Sequence, residues 1–232
     1  MEEILEDFVI DEPYSLSSDD IELIKKASPE KNNRRDWVKP CLNKFKERIK
    51  NHLREKQYSR CAYCRNRIQE GICPSELDHI VEKSKRPDWM YNPLNICYSC
   101  KRCNTAKGCT HDIIRDYDLE SYPKESEAFL IINPYFDKYS EHIKIIDGIL
   151  YKGLTPKGHY TIECCKLNRY ELACDRAEAL IRQNETNMVR LLLLLVDKQR
   201  QSLIDNWDKF IERVKLIDSI KRYKQTHKDI QI

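Results

Sequence analysis

Bulk charge of one sign is missing from this chain: 41 lysines and arginines stand against 38 aspartates and glutamates, a net charge of +3 over 232 residues. Composition therefore does not announce a nucleic-acid binder, and any electrostatic signal has to be local. The opening "MEEILEDFVIDEP" is acidic and has no basic leader followed by an apolar core, so no secretory signal is expected. The longest apolar run, "LLLLLV" at 191–196, is far too short to cross a bilayer. Internal repeats and low-complexity linkers are lacking as well. Together these absences predict a cytoplasmic chain with no membrane association.

What the chain does have is cysteine. Eleven are present, and an odd number without an export signal argues against a disulfide framework. Four fall into two Cys-x2-Cys pairs, Cys61/Cys64 and Cys100/Cys103, separated by 35 residues. Each such pair forms a knuckle whose sulfurs converge, and four thiolates fill the coordination sphere of a tetrahedral zinc. A zinc so enclosed has no position for water, so catalysis would need a second site. The other seven, Cys41, Cys73, Cys97, Cys109, Cys164, Cys165 and Cys174, read as small buried apolar residues or inert surface thiols.

Local patterns suggest the elements around these pairs. Ser17 and Asp20 have the spacing of a capping box ahead of a short helix within 15–27. Over 36–56, Val38, Leu42, Phe45, Ile49 and Leu53 recur at three and four residues, which predicts one apolar helical face. Lys44, Lys46, Arg48, Lys50, Arg54 and Lys56 lie between them, and a solvated surface and a phosphate-facing surface explain that basic face equally well. Asp147-Gly148 between two apolar runs predicts a tight hairpin. A further strand is expected at "HYTIEC", 159–164, then one or two helices over 168–199 and a last one over 207–223.

Three stretches in order, "CAYC", "ELDHIVEKSK" and "NPLNICYSCKRCNTAKG", carry a resemblance to the zinc-bearing form of the HNH endonuclease family. It spans roughly 58–110: a cysteine pair, Asp-His, an Asn five residues before the second pair, and Cys-Asn-x2-Lys-Gly at its end. The resemblance implies a ββα-metal core in which His79 is the general base that activates water against a phosphodiester. It also implies that Asp78 and Asn104 hold one divalent cation, Mg²⁺ or Mn²⁺, and that Asn95 fixes the loop orienting the base. These residue types suit the task, since a hard cation takes oxygen ligands and the base must be a neutral imidazole near pH 7. Asn104 stands where many members have histidine, and Glu82 where a proline is common. His111 reads as an ordinary surface or core histidine.

Lys83, Lys85, Arg86, Lys101, Arg102 and Lys107 cluster around this motif and would attract a nucleic-acid backbone without reading its sequence. Trp89, Tyr91 and Tyr98 among them are expected to pack around the zinc knuckle. Farther on, Asn133, Pro134, Asp137, His142, Leu167, Asn168, Arg169 and Arg176 resemble the accessory region of HNH proteins from bacterial anti-phage systems of the Septu and retron-associated type. That resemblance implies a defence role and an ATPase partner docking on the helices after residue 168, although apolar stripes there suit an internal core equally. The fold class expected is α+β: an N-terminal helical extension over 1–57, an HNH core over 58–112, a β-containing accessory region over 113–165 and a helical C-terminal segment over 166–232. The function expected is DNA cleavage. A zinc-knuckle binding module without catalysis and a silent assembly subunit are the competing readings, and a homo-oligomer is compatible with each.

Overall fold

A computed structural model describes residues 7–30, 33–69, 71, 74–183, 207–209, 211–212 and 215–216. The fold class is α+β, with helices alongside two small two-stranded sheets. The chain divides into two compact units, Met1–Ile143 with Gly153–Lys166 and Lys144–Lys152 with Leu167–Ile232. The apolar run at 191–196, the part of 168–199 beyond 183 and most of 207–223 lie outside the described residues. Among the described residues no helix is long and apolar enough to cross a membrane.

In the first unit, α1 (Ser18–Ala27) begins at the expected capping box: Ser17 Oγ accepts from the Asp20 amide while the Asp20 carboxylate accepts from the Ser17 amide. Asp20 is fully buried and also accepts from Tyr14 and Arg48. Burial alone would raise its pKa, but the Arg48 guanidinium and the Ser17 and Tyr14 donors hold it below the usual carboxylate range.

The single helix expected over 36–56 is instead two 3₁₀ turns, Arg34–Val38 and Pro40–Leu42, followed by α2 (Asn43–Lys56). Pro40 is the cause. It lacks an amide donor and forces Lys39 into extended backbone (φ −61°, ψ 133°), so the periodicity breaks there. Val38 accordingly falls off the apolar face and is 74% exposed, whereas Leu42, Phe45, Ile49 and Leu53 are fully buried.

After α2 the chain turns through the first cysteine pair and enters β1 (Ser75–His79), which pairs antiparallel with β2 (Ile96–Cys100). Helix α3 (Lys101–Lys107) starts directly after β2 and packs on both strands. Farther along, α4 (Tyr139–His142) contacts α5 (Pro156–Cys164).

Helix α5 corrects the strand expected at 159–164. Thr155 caps it through Oγ1, which accepts from the Gly158 amide at 3.1 Å, and Pro156 occupies the first turn where no amide donor is needed. Those start signals lie upstream of the short β-branched pattern and outweigh it.

The second unit contains all but the end residues of the hairpin formed by β3 (Ile143–Ile146) and β4 (Leu150–Gly153). Asp147 and Gly148 both have positive φ, 49° and 71°, as the tight turn requires. Helix α6 (Tyr170–Gln183) follows, and Ile146, Leu150, Ala173 and Ile211 form a buried cluster with Ile149 and Trp207 against it. Asn168 bonds both backbone groups of Tyr151, each at 2.8 Å, and Arg176 donates to the Gly148 carbonyl.

Close approach within the first unit fixes α5. A Cβ on Gly158 would stand 1.9 Å from the His142 carbonyl oxygen. Gly158→Ala is therefore expected to lower stability by about 1–3 kcal/mol, read as a lower midpoint of thermal unfolding. An unchanged midpoint would refute this packing of α5 on α4.

Candidate functional site

The site is built on a loop, a strand and a helix start. Residues 60–67 form the first knuckle: the Arg65 amide donates to the Cys61 carbonyl and the Cys61 amide to the Asn66 carbonyl, both at 3.0 Å. The knuckle is tied to β2 by Ala62, whose amide donates to the Tyr98 carbonyl at 3.0 Å. Gln57 reinforces that tie, since its amide group donates to the Tyr98 carbonyl and accepts from the Tyr98 amide, both at 2.8 Å. Because Cys100 ends β2 and Cys103 lies in the first turn of α3, the two pairs converge.

Sulfurs of Cys61, Cys64, Cys100 and Cys103 all lie within 4.8 Å of one another, and all four residues are buried, so this cage could hold a metal ion. Hydrogen bonding to Cys100 is the first cause that raises the Cys64 and Cys103 thiols well above their ordinary values. Cys100, bonded to Cys103, Cys61 and Cys64, is held far below its own. A divalent cation bound in the cage would favour the thiolate form of all four. Beside the cage the guanidinium of Arg65 is fully buried, 3.7 Å over the Phe8 ring and 4.5 Å over the Tyr139 ring, with none of its nitrogens hydrogen-bonded.

Asp78 and His79 are the last two residues of β1, and the chain bends immediately after them. Asn95, fully buried, holds the bend. Its Oδ1 accepts from the Val81 amide at 2.7 Å, and its Nδ2 donates to the carbonyls of Val81 and Trp89. The carbonyl of Asn95 also accepts from the Ile80 amide at 2.8 Å.

His79 is 4% exposed, with Nε2 lying 3.0 Å from the Met90 carbonyl. A carbonyl only accepts, so Nε2 carries the ring proton and Nδ1 is the basic atom. Among the described residues Nδ1 has no hydrogen-bond partner. Burial, followed by the nearby charge of Lys83, lowers the His79 pKa to about 3 and keeps the ring neutral.

Asp78 is 5% exposed. It accepts from Tyr63 Oη at 2.5 Å, and Lys107 Nζ lies 3.3 Å from the same carboxylate oxygen. Burial pushes the Asp78 carboxyl up, while Asp78 and then Glu82 keep Lys107 above its usual pKa despite its own burial. Asn104, one turn before Lys107 on α3, donates from Nδ2 to Glu76 at 2.5 Å. Helix α3 therefore runs along β1 with Asn104 opposite Glu76 and Lys107 opposite Asp78. Each of the two expected cation ligands meets a different partner, and Glu76 adds an oxygen donor that the motif did not suggest. Strand alternation was the available signal for it, since Glu76 lies two residues before Asp78 and shares its face.

The expected phosphate contacts separate. Lys107 departs from its expected role: it is 1% exposed and donates to the His79 and Ile80 carbonyls, locking helix to strand. Lys85 is taken up by the His111 carbonyl, Asp112 and Tyr117. Arg86 pairs with Asp88, donates to the carbonyls of Tyr117 and Leu119, and lies 3.5 Å over the Trp89 ring. Lys101 and Arg102 are exposed, and Lys83 is half-buried. Trp89, Tyr91 and Tyr98 are all buried, so they pack within the unit. Glu82 is 5% exposed with neither carboxylate oxygen hydrogen-bonded, and its charge acts on Lys107.

No family model matches the chain. It is similar to the Septu protein PtuB of Bacillus thuringiensis, at 35% identity over 135 residues. The matched stretch is 58% of this chain and 44% of that protein, so the chain spans less than half the length of this curated relative.

The unfolded chain protonates His79 near 6.5, whereas the folded chain resists protonation down to about 3. This group accordingly contributes stability fully above 6.5, and the contribution is lost progressively as pH falls to about 3. Ring ¹⁵N shifts recorded at about pH 5 should show a neutral Nε2–H tautomer, where a free histidine would be protonated. A protonated His79 ring at that pH would overturn this burial.

Proposed function

We propose that this chain is a metal-dependent HNH endonuclease that hydrolyses phosphodiester bonds of DNA. Zinc fills its four-cysteine cage, and Mg²⁺ or Mn²⁺ serves at the active site. The observation that carries this reading is His79: a neutral imidazole, its Nε2–H committed to the Met90 carbonyl and its Nδ1 without a partner among the described residues. A histidine oriented in this way is prepared to accept a proton from an attacking water. The similarity to the Septu protein PtuB supports a role as the nuclease component of a bacterial anti-phage system beside an ATPase subunit.

Each further residue has a role that its surroundings support. The Asn104 amide nitrogen is occupied by Glu76, which leaves Oδ1 as the atom to meet a cation. Asp78 provides a charged oxygen, although Tyr63 and Lys107 engage one side of its carboxylate. Two protein oxygens with water completing the sphere suit Mg²⁺, which loses its waters reluctantly. Bound there, the cation supplies charge stabilisation at the scissile phosphate and the leaving oxygen. Asn95 acts through position, holding the Val81 and Trp89 backbone so that the bend after His79 keeps its shape. The zinc, closed by four sulfurs, has no place for water and serves the fold.

The test is plasmid cleavage with Mg²⁺ or Mn²⁺, comparing the parent with His79→Ala after zinc content and melting temperature are matched. Loss of a general base predicts a rate lower by roughly 10²- to 10⁴-fold. Equal rates would remove His79 from the chemistry. No cleavage by the parent, alone or with its ATPase partner, would favour a nucleic-acid-binding module. A second expectation concerns the cage: the parent should carry one zinc per chain, and Cys100→Ser should lose it together with much of the thermal stability.

A further inference from the structure

The basic face of α2 has two groups of residues with different fates. Arg48 pairs with Asp19 and Asp20, and Lys56 with Glu12, so both tie α2 to preceding segments. Lys46 and Lys50 are in a different position. Among the described residues they meet no acidic partner: Lys46 Nζ reaches only the Trp37 carbonyl at 3.4 Å and lies 6.0 Å over the Trp37 ring, and Lys50 Nζ is 3.5 Å from the Ser75 carbonyl. Both are half-buried and line one groove of about 410 Å³.

That groove is bounded by α2, by β1 and by Asn104 of α3. Its other wall is Trp37, whose ring stands edge-on to the His79 ring at a centroid distance of 4.5 Å. Glu47 and Glu76 also line it, and Glu76 is the residue that fixes Asn104. Among the described residues β1 pairs with β2 alone, so no described strand takes its other edge. Two ammonium groups thus share a groove with the amide that would face the cation, and one ring separates that groove from the general base.

We propose that this groove seats the sugar-phosphate backbone of the substrate strand, with Lys46 and Lys50 contacting phosphates that flank the cleaved one. The assignment rests on the nuclease reading above. Phosphate contacts of this kind set register and orientation without reading sequence. The strand enters between α2 and β1, and Asn104 and its cation meet the scissile phosphate.

The test is fluorescence anisotropy of a labelled DNA duplex with the full zinc-loaded chain across a salt series, first without added magnesium or manganese so that the DNA stays whole. Lys46→Ala/Lys50→Ala is compared with the parent and with Lys44→Ala, an exposed lysine of the same helix outside the groove. All three should melt at the same temperature. The double variant is expected to bind more weakly, and its slope of log affinity against log salt should be flatter by about 0.9 for each lost phosphate contact. Lys44→Ala should follow the parent. A double variant with the parent's affinity and slope, while the parent cuts plasmid, would overturn the groove and leave the nuclease reading standing. A parent that neither binds DNA nor cuts it would overturn both.

Discussion

Convergence of four sulfurs is the constraint on which the rest of the first unit depends. Cys61 and Cys64 sit on a loop, Cys100 and Cys103 at the junction of β2 and α3, and their sulfurs share one buried cage. Polar bonds prepare the meeting: Gln57 and Ala62 fasten the knuckle to Tyr98, and Tyr139 Oη donates to the Tyr63 carbonyl at 2.9 Å from the opposite side. Four thiolates around a divalent metal leave a net charge of −2, and Arg65, the residue after Cys64, is a buried cation with two aromatic faces and no hydrogen-bond acceptor. A guanidinium in that setting is tolerable next to anionic sulfur and costly next to neutral thiols. With a metal bound, the cage and the aromatic clamp around Arg65 would form one electrostatic unit.

From that anchor the placement of Asp78 and His79 follows by register. β1 is aligned opposite β2 so that Asp78 faces Cys97 and His79 faces Ile96, three residues or more from the cage. Adjacent strand residues point to opposite faces, and the two side chains divide accordingly. Asp78 turns to Tyr63 and Lys107, while His79 turns to Trp37 and the Met90 carbonyl. Lys107 is central to this arrangement. It spans helix and strand with three contacts, and a buried ammonium so placed is held charged by the carboxylates of Asp78 and Glu82. Replacing such a group by an apolar one would take a donor from the His79 and Ile80 carbonyls and leave Tyr63 as the remaining partner of the Asp78 oxygen, the expensive half of any buried polar network.

How much of this was legible in the sequence depended on whether the deciding interaction was local. The capping box at Ser17 and the Asp147-Gly148 turn are signals within four residues, and both elements formed where expected. The cysteine pairs are also local units, so their meeting could be anticipated from spacing alone. Val38 and the segment 159–164 depart from their periodicity because punctuation overrides it: Pro40 in the first case, Thr155 and Pro156 in the second. The side-chain partners were not legible. Lys107 and Lys101 look alike in a string of basic residues, yet one is sealed between helix and strand and the other is exposed. Glu76 reads as one more surface carboxylate until the helix brings Asn104 against it.

The same distinction explains why a net charge of +3 is a poor guide to what this surface attracts. A formal charge counts for little at a distance when an opposite charge sits within an ion-pair contact, and several basic residues near the site are neutralised in this way. Arg48, Lys56, Lys85 and Arg86 each have a carboxylate partner within 3 Å. Lys46 and Lys50 have no such partner among the described residues, and they line the groove that reaches Asn104 together with Glu47 and Glu76. Electrostatic attraction of a polyanion is governed by the local field, screened beyond about 8 Å at physiological salt, and not by the sum over the chain. In this groove the ammonium groups of Lys46 and Lys50 stand beside Glu47 and Glu76, so the position of the lysines, and not an excess of positive charge, is what would meet a phosphate backbone.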